Sequence, residues 1–200
     1  KLYGTSWGPR LEYVLRNIML SVLEYPNPTL MHVVRMLTDK PFREDVLSYV
    51  KDPVIMKFRR NEFDQWKDSQ VNETIGPITN KVGQFLSSTV VRNIFAQPQS
   101  KINIRKCMDE GKILLINLSK GRIGDDNASM IGSFLVTKFY IDAMSRADIP
   151  ARERRDFYLY VDEFQNFATD SFENILSEAR KYRLSLIMAN QYTTQIMENV

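Results

Sequence analysis

The chain has 200 residues, 44% hydrophobic and 26% charged, with a formal net charge of +3, which is room for one good-sized globular domain or two small ones. One cysteine, Cys107, and one histidine, His32, exclude a disulfide framework and a His/Cys metal site, and with them zinc hydrolases and papain-like enzymes. No apolar stretch reaches the roughly 18 residues a membrane span needs, and so mild a charge permits a nucleic-acid partner without arguing for one.

The opening KLYGTSWGPR has no signal layout and no initiator Met, so it reads as interior to a longer chain. Residues 1–97 then read as an all-α domain, helices joined by Pro-marked turns. Gly8-Pro9 opens the first, with Leu11, Val14, Leu15, Ile18, Met19 and Val22 at helical spacing. Thr29 caps a second, carrying Leu30, Val33, Val34 and Leu37. Asp39 with Pro41, then Asp52-Pro53, start a third and a fourth, because an N-cap carboxylate can take an orphan amide and proline needs no partner there. A fifth is expected after Gly76-Pro77, through Ile78, Val82, Phe85 and Leu86, and a last around Val91, Ile94 and Phe95. Within this half, Phe58 and Trp66 read as core, with Arg59 and Arg60 solvated; the other reading is an aromatic-basic contact patch.

Residues 98–200 follow a different pattern. GKILLINLS predicts a strand at 112–118, buried on both faces. A helix is expected over 127–146, with its stripe at Ile131, Phe134, Leu135, Lys138 and Ile141. After the polar linker ADIPARERRD come a strand at 157–161, a helix at 171–183 and a strand at 184–190. Strand, helix, strand, helix, strand at this spacing implies right-handed crossovers and a parallel sheet, so this half is α/β.

FYLYVDE places Asp162 and Glu163 at a strand's carboxyl end, where open parallel sheets bind ligands. Four hydrophobes followed by Asp-Glu is the Walker B form. The strand fixes one carboxylate beside a nucleotide to hold the hydration shell of Mg²⁺, and the next acid faces the water that attacks the γ-phosphate. By that pattern Asp162 is the metal residue and Glu163 the catalytic one, with ATP and Mg²⁺ as cofactors. Any strand can also end in two acids that favour a turn. Neighbouring strand ends offer Asn117 and Ser119 on one side and Asn190 and Gln191 on the other. Gln191 either senses the γ-phosphate or caps the helix after Thr193. Arg180 either reaches a phosphate in a neighbouring subunit or, with Lys181 and Arg183, complements a helix terminus. Lys120 and Arg122, in SKGRIGDD, either touch phosphate or are solvated charges. A phosphate-gripping Gly-x4-Gly-Lys-Ser/Thr is missing, since no two of the eight glycines are five apart.

LYVDEFQNFATDSFENILSEARKYRLSLIMANQY resembles the ATPase core of conjugative type IV secretion coupling proteins (TraG/TraD-type) and their HerA/FtsK-like relatives. GKILLINLSKGRIGDDNASMIGSFL is similar to the segment before their Walker B strand. WGPRLEYVLRNIMLSVLEYPNPTLMHVVRMLTDKPFRE resembles their helical part, including bacterial proteins with a type IV secretion DNA-binding or TraM-recognition domain. The resemblance implies a partial RecA-like P-loop NTPase sheet in the C-terminal half and an inserted all-α domain in the N-terminal half. It also implies a Walker A before Lys1 and further strands after Val200. Asp162 and Glu163 then take the Walker B roles, Gln191 that of a sensor and Arg180 that of a trans-acting arginine finger.

The function implied is that of a motor subunit pumping DNA with ATP, working as a hexamer; this chain alone, lacking Walker A, is expected to be inactive. The alternative is a non-catalytic helical adaptor on a degenerate RecA-like scaffold that docks DNA-processing partners. Expected partners are DNA, further copies of the chain and secretion-system proteins. The expected place is the cytoplasm, with the full-length protein anchored at the inner face of the bacterial plasma membrane.

Overall fold

The computed structural model describes residues 8–66, 68–167 and 178–190, and the chain divides into two compact units between Ser100 and Lys101. The first is helical: α1 (Pro9–Leu23), α2 (Leu30–Thr38), α3 (Lys40–Tyr49), α4 (Pro53–Asn61), α5 (Asp68–Ser87) and α6 (Thr89–Phe95). Local chemistry starts several of them. The Asp39 carboxylate accepts the Phe42 amide (3.1 Å), Asp52 accepts that of Val54 (2.7 Å), and Ser88 that of Val91 (3.4 Å). Before α2, the Thr29 amide donates to Nδ1 of His32 (3.2 Å), an imidazole in the place a capping-box glutamate usually fills. Arg43 closes the other end of α2, donating to the carbonyls of Met36 (2.6 Å) and Leu37 (2.9 Å).

The core of this unit joins Val14 and Ile18 of α1, Val33 and Met36 of α2, Val46 of α3, Phe58 of α4 and Ile78 of α5. Val14, Val46 and Ile78 have no exposed surface, and each such side chain contributes about 1.5–3 kcal/mol of burial. Tyr25 sits edge-on to Phe42 (5.4 Å) and Tyr49 (5.2 Å) and donates its hydroxyl proton to Asp45 (2.8 Å).

Two expectations change here. Phe58 and Trp66 do pack into the core, but Arg59 is buried rather than solvated, its Nη2 2.7 Å from Glu44. Its position on α4 beside Phe58 turns it inward, and the carboxylate from α3 compensates the charge. The helix expected to begin after Gly76-Pro77 is the second half of α5, which runs through Pro77. Gly76 has no Cβ to clash with the pyrrolidine ring, and the Thr79 hydroxyl stands within hydrogen-bond distance of the Ile75 and Gly76 carbonyls (both 3.0 Å).

The second unit starts with α7 (Ile104–Glu110), a helix not anticipated, begun by Asn103 accepting the Lys106 amide (2.8 Å). Gly111 ends it in the left-handed region at φ 66°, and a Cβ there would lie 2.2 Å from Nη1 of Arg155. The strand expected at 112–118 is absent: the segment joins no ladder among the described residues, and Ile113 and Leu115 are 90% and 91% exposed. Apolar, β-prone residues become a strand only when a neighbour takes their backbone groups. Leu114 alone of the run packs against the core cluster.

After the short α8 (Lys120–Ile123), α9 (Asp125–Met144) leads through a 3₁₀ turn to β1 (Phe157–Val161), which pairs in parallel with β2 (Leu184–Met188), Phe157 opposite Leu184 and Val161 opposite Met188. Among the described residues the sheet is this two-stranded pair, smaller than the three strands expected. The buried side of α9 is rotated from the expected stripe. Ala128, Gly132, Val136, Phe139 and Ala143 are buried with Ile131, whereas Phe134 and Ile141 are half exposed. Val136, Phe139 and Ala143 meet Ile104 and Met108 of α7, Phe157 and Val161 of β1 and Leu184 of β2. Tyr158 and Tyr160, on the other side of β1, are exposed.

Arg146 is fully buried, donating to the carbonyls of Tyr182 (3.0 Å) and Arg155 (2.7 Å) with its Nε 3.0 Å from Asp109. It ties α7 and the end of α9 to the approaches of both strands. No helix among the described residues is long and apolar enough to cross a membrane.

Candidate functional site at the carboxyl end of β1

Beyond Val161 the ladder continues for one step, the Ala189 amide donating to the Val161 carbonyl (2.9 Å). There the chain turns sharply. Asp162 is exposed, and its Oδ1 accepts the amide of Glu163 (2.9 Å). Glu163 adopts φ 48°, ψ 45°, the left-handed region that non-glycine residues reach only at some cost. A single 3₁₀ turn, Phe164–Asn166, follows. It is pinned from the two residues after β2, the Phe164 amide donating to the Ala189 carbonyl (3.2 Å) and the Gln165 amide donating to Oδ1 of Asn190 (3.3 Å). Buried Phe164 anchors the turn in the core.

The packing of α9 sets this turn from behind. Gly132 leaves space for the Phe167 ring, since a Cβ at 132 would lie 2.2 Å from it. Ser133 lies 3.4 Å from the Phe167 carbonyl. A side chain at 132 would force the Phe167 ring to shift.

Around the Glu163 carboxylate stand residues from two segments. Oε2 accepts from Nδ2 of Asn166 (3.0 Å) and lies 3.7 Å from Nζ of Lys120. The same ammonium donates to Oδ1 of Asn166 (3.2 Å) and is 3.4 Å from Asp125. Glu163 and Lys120 are each about two-fifths exposed, so the group is open to a ligand from solvent.

The fold thus brings Asp162, Glu163, Lys120 and Asn190 to one strand end. Asn117 makes a local turn, accepting the Ser119 amide (3.0 Å). Arg180 is exposed in the 3₁₀ turn Ala179–Tyr182 that precedes β2, at the opposite end of the parallel pair from the acids. Gln191 and residues 171–177 of the expected helix lie outside the described residues. Asn166 was not anticipated; its sequence signal is an amide three residues after Glu163, the reach of one tight turn.

Among the described residues no three His, Cys, Asp or Glu side chains converge on a metal position. The donors present suit a hard cation that keeps most of its water and is shared with phosphate oxygens, because that arrangement asks the protein for only one or two carboxylates. Asp162, exposed and with Oδ1 fixed by a backbone amide, is such a donor.

No curated protein and no solved structure matches the chain. Residues 156–199, a span that holds β1, both acids, Arg180 and Gln191, are similar to the family model of the TraM recognition site of TraD and TraG.

Proposed function

We propose that the chain is part of an ATP-driven, DNA-translocating motor of the conjugative coupling-protein type. The observation that carries this reading is the delivery of Asp162 and Glu163 by an apolar strand to one end of a parallel pair, inside the matched span. In this reading residues 98–200 are part of a RecA-like core and residues 1–97 its inserted all-α domain. Such a motor requires a phosphate-gripping loop that these 200 residues do not contain.

Asp162 would hold the hydration shell of Mg²⁺, which when bound would supply positive charge against that developing on the phosphates, and Glu163 would orient and deprotonate the attacking water. Gln191 would act as the γ-phosphate sensor. Arg180 acts in a neighbouring subunit of a hexamer, a role to which its exposure and its distance along the strands from its own acids are suited. DNA is gripped by its phosphates, with little reading of bases. The motor works in the cytoplasm, its full-length form held at the inner face of the plasma membrane.

The likeness to a TraM recognition site favours a second activity at the same segment: docking of a protein of the TraM kind by residues 156–199. An adaptor would need no catalytic carboxylate within that surface, so ATP turnover separates the readings. In the full-length protein, Glu163→Gln should keep nucleotide binding and lose DNA-stimulated ATP turnover by several powers of ten. Normal turnover in that variant would sink the assignment, whereas a parent protein that neither binds nor turns over ATP would leave the adaptor.

A further inference from the structure

We propose that Lys120 is a positioning residue for Glu163, acting through Asn166; the inference rests on the motor reading above. Lysine is a donor only, so Asn166 must present its carbonyl oxygen to Nζ of Lys120 (3.2 Å). An ionised carboxylate is an acceptor only, so Asn166 must present its amide nitrogen to Oε2 of Glu163 (3.0 Å). The two contacts therefore fix the amide in one orientation, and a directed chain runs from ammonium to amide to carboxylate. The ammonium adds a direct attraction, 3.7 Å from the same carboxylate oxygen.

Glu163 needs such support. Its backbone is held in the left-handed region, and its long side chain is two-fifths exposed. Without Lys120 the Asn166 amide loses the contact that holds its carbonyl side, and amide and carboxylate can swing together. The base would then sample directions unsuited to a water molecule, and catalysis depends on that direction. Lys120 begins α8, and the adjoining helix α9 starts with Asp125, 3.4 Å from Nζ. The ammonium is thereby held from a second side.

The test has two parts. On the 200-residue chain, the side-chain amide signals of Asn166 are followed by ¹⁵N-edited NMR: Lys120→Met and Glu163→Gln should both move them, and Lys120→Arg should move them less. In the full-length protein, Lys120→Met should lower kcat for ATP by about tenfold to a hundredfold with KM changed less than about twofold. Asn166→Leu should do the same, and the double variant should be no worse than the more damaging single one, because the two residues act as one relay. Lys120→Arg should recover most of the rate.

A raised KM with unchanged kcat would mean that Lys120 binds phosphate directly, and multiplying losses would mean two independent contacts; either overturns the proposal. So would Asn166 signals indifferent to Lys120→Met. Normal turnover by Glu163→Gln overturns the motor reading instead, whereas the relay is still decided by the Asn166 signals.

Discussion

Arg146→Met tests whether the second unit is held together as its contacts imply. The substitution removes the donors to the Tyr182 carbonyl (3.0 Å) and the Arg155 carbonyl (2.7 Å) and the ion pair to Asp109 (3.0 Å). Burial pushes the pKa of this guanidinium down and Asp109 opposes the shift, so part of the pair's attraction already offsets desolvation. Asp109 keeps Arg105 as a partner, which softens its loss. Each of the two carbonyls, if left dry, costs about 1–3 kcal/mol. Relief of guanidinium desolvation subtracts from that sum, leaving a net loss of about 3 kcal/mol. Those carbonyls flank the entries to β1 and β2, so the loss falls on the sheet. At about 1.4 kcal/mol per factor of ten, backbone amides of Phe157–Val161 and Leu184–Met188 should exchange about a hundredfold faster. Hydrogen exchange read by mass spectrometry on peptides spanning the strands gives the number. Exchange within about threefold of the parent would refute the argument, and with it the view that Arg146 fastens the strands.

Gly132→Ala would place a methyl against the Phe167 ring, and the strain should cost about 1–3 kcal/mol in urea unfolding and move the Phe167 ring signals in NMR. An unchanged midpoint would show that the loop after Glu163 yields freely. His32 should titrate below 6.5, because burial, and secondarily Arg35, disfavour its charged form and because neutral Nδ1 accepts the Thr29 amide. The stability that neutral His32 contributes is then complete above pH 6.5 and is lost as pH falls from there through the lowered folded value. The one imidazole in the chain makes the NMR titration unambiguous. A midpoint at or above 6.5 would contradict the capping role, and a histidine-to-glutamine variant should flatten this part of the stability profile.

What the chain declares by itself is mostly what neighbouring residues can settle among themselves. Pro9 at the start of α1, Asp39 before Phe42 and Asp52 before Val54 begin helices through contacts two or three residues long, and all were legible. The runs FYLYV and LSLIM were legible as strands, as was the arrival of Asp162 and Glu163 at the end of the first. GKILLINLS has the same local look and is no strand, because the decision rests with a ladder partner supplied from elsewhere. The buried side of α9 was misjudged for a related reason. Apolar residues lie on several of its sides, and only the placement of α7 and β1 selects Val136, Phe139 and Ala143 over Phe134 and Ile141.

Charged side chains show the same division. By itself Arg59 is a surface residue, and α3, bringing Glu44 to it, offsets the cost of its inward turn. Lys120 and Asn166 stand 46 positions apart, and no spacing rule reaches so far. Their meeting beside Glu163 follows from the paths of α8, α9 and β1. Short-range hydrogen bonds and steric preferences are written in adjacent residues, whereas burial, pairing and the environment of a carboxylate are properties of the surface that another segment presents, and that surface exists only once the chain has folded.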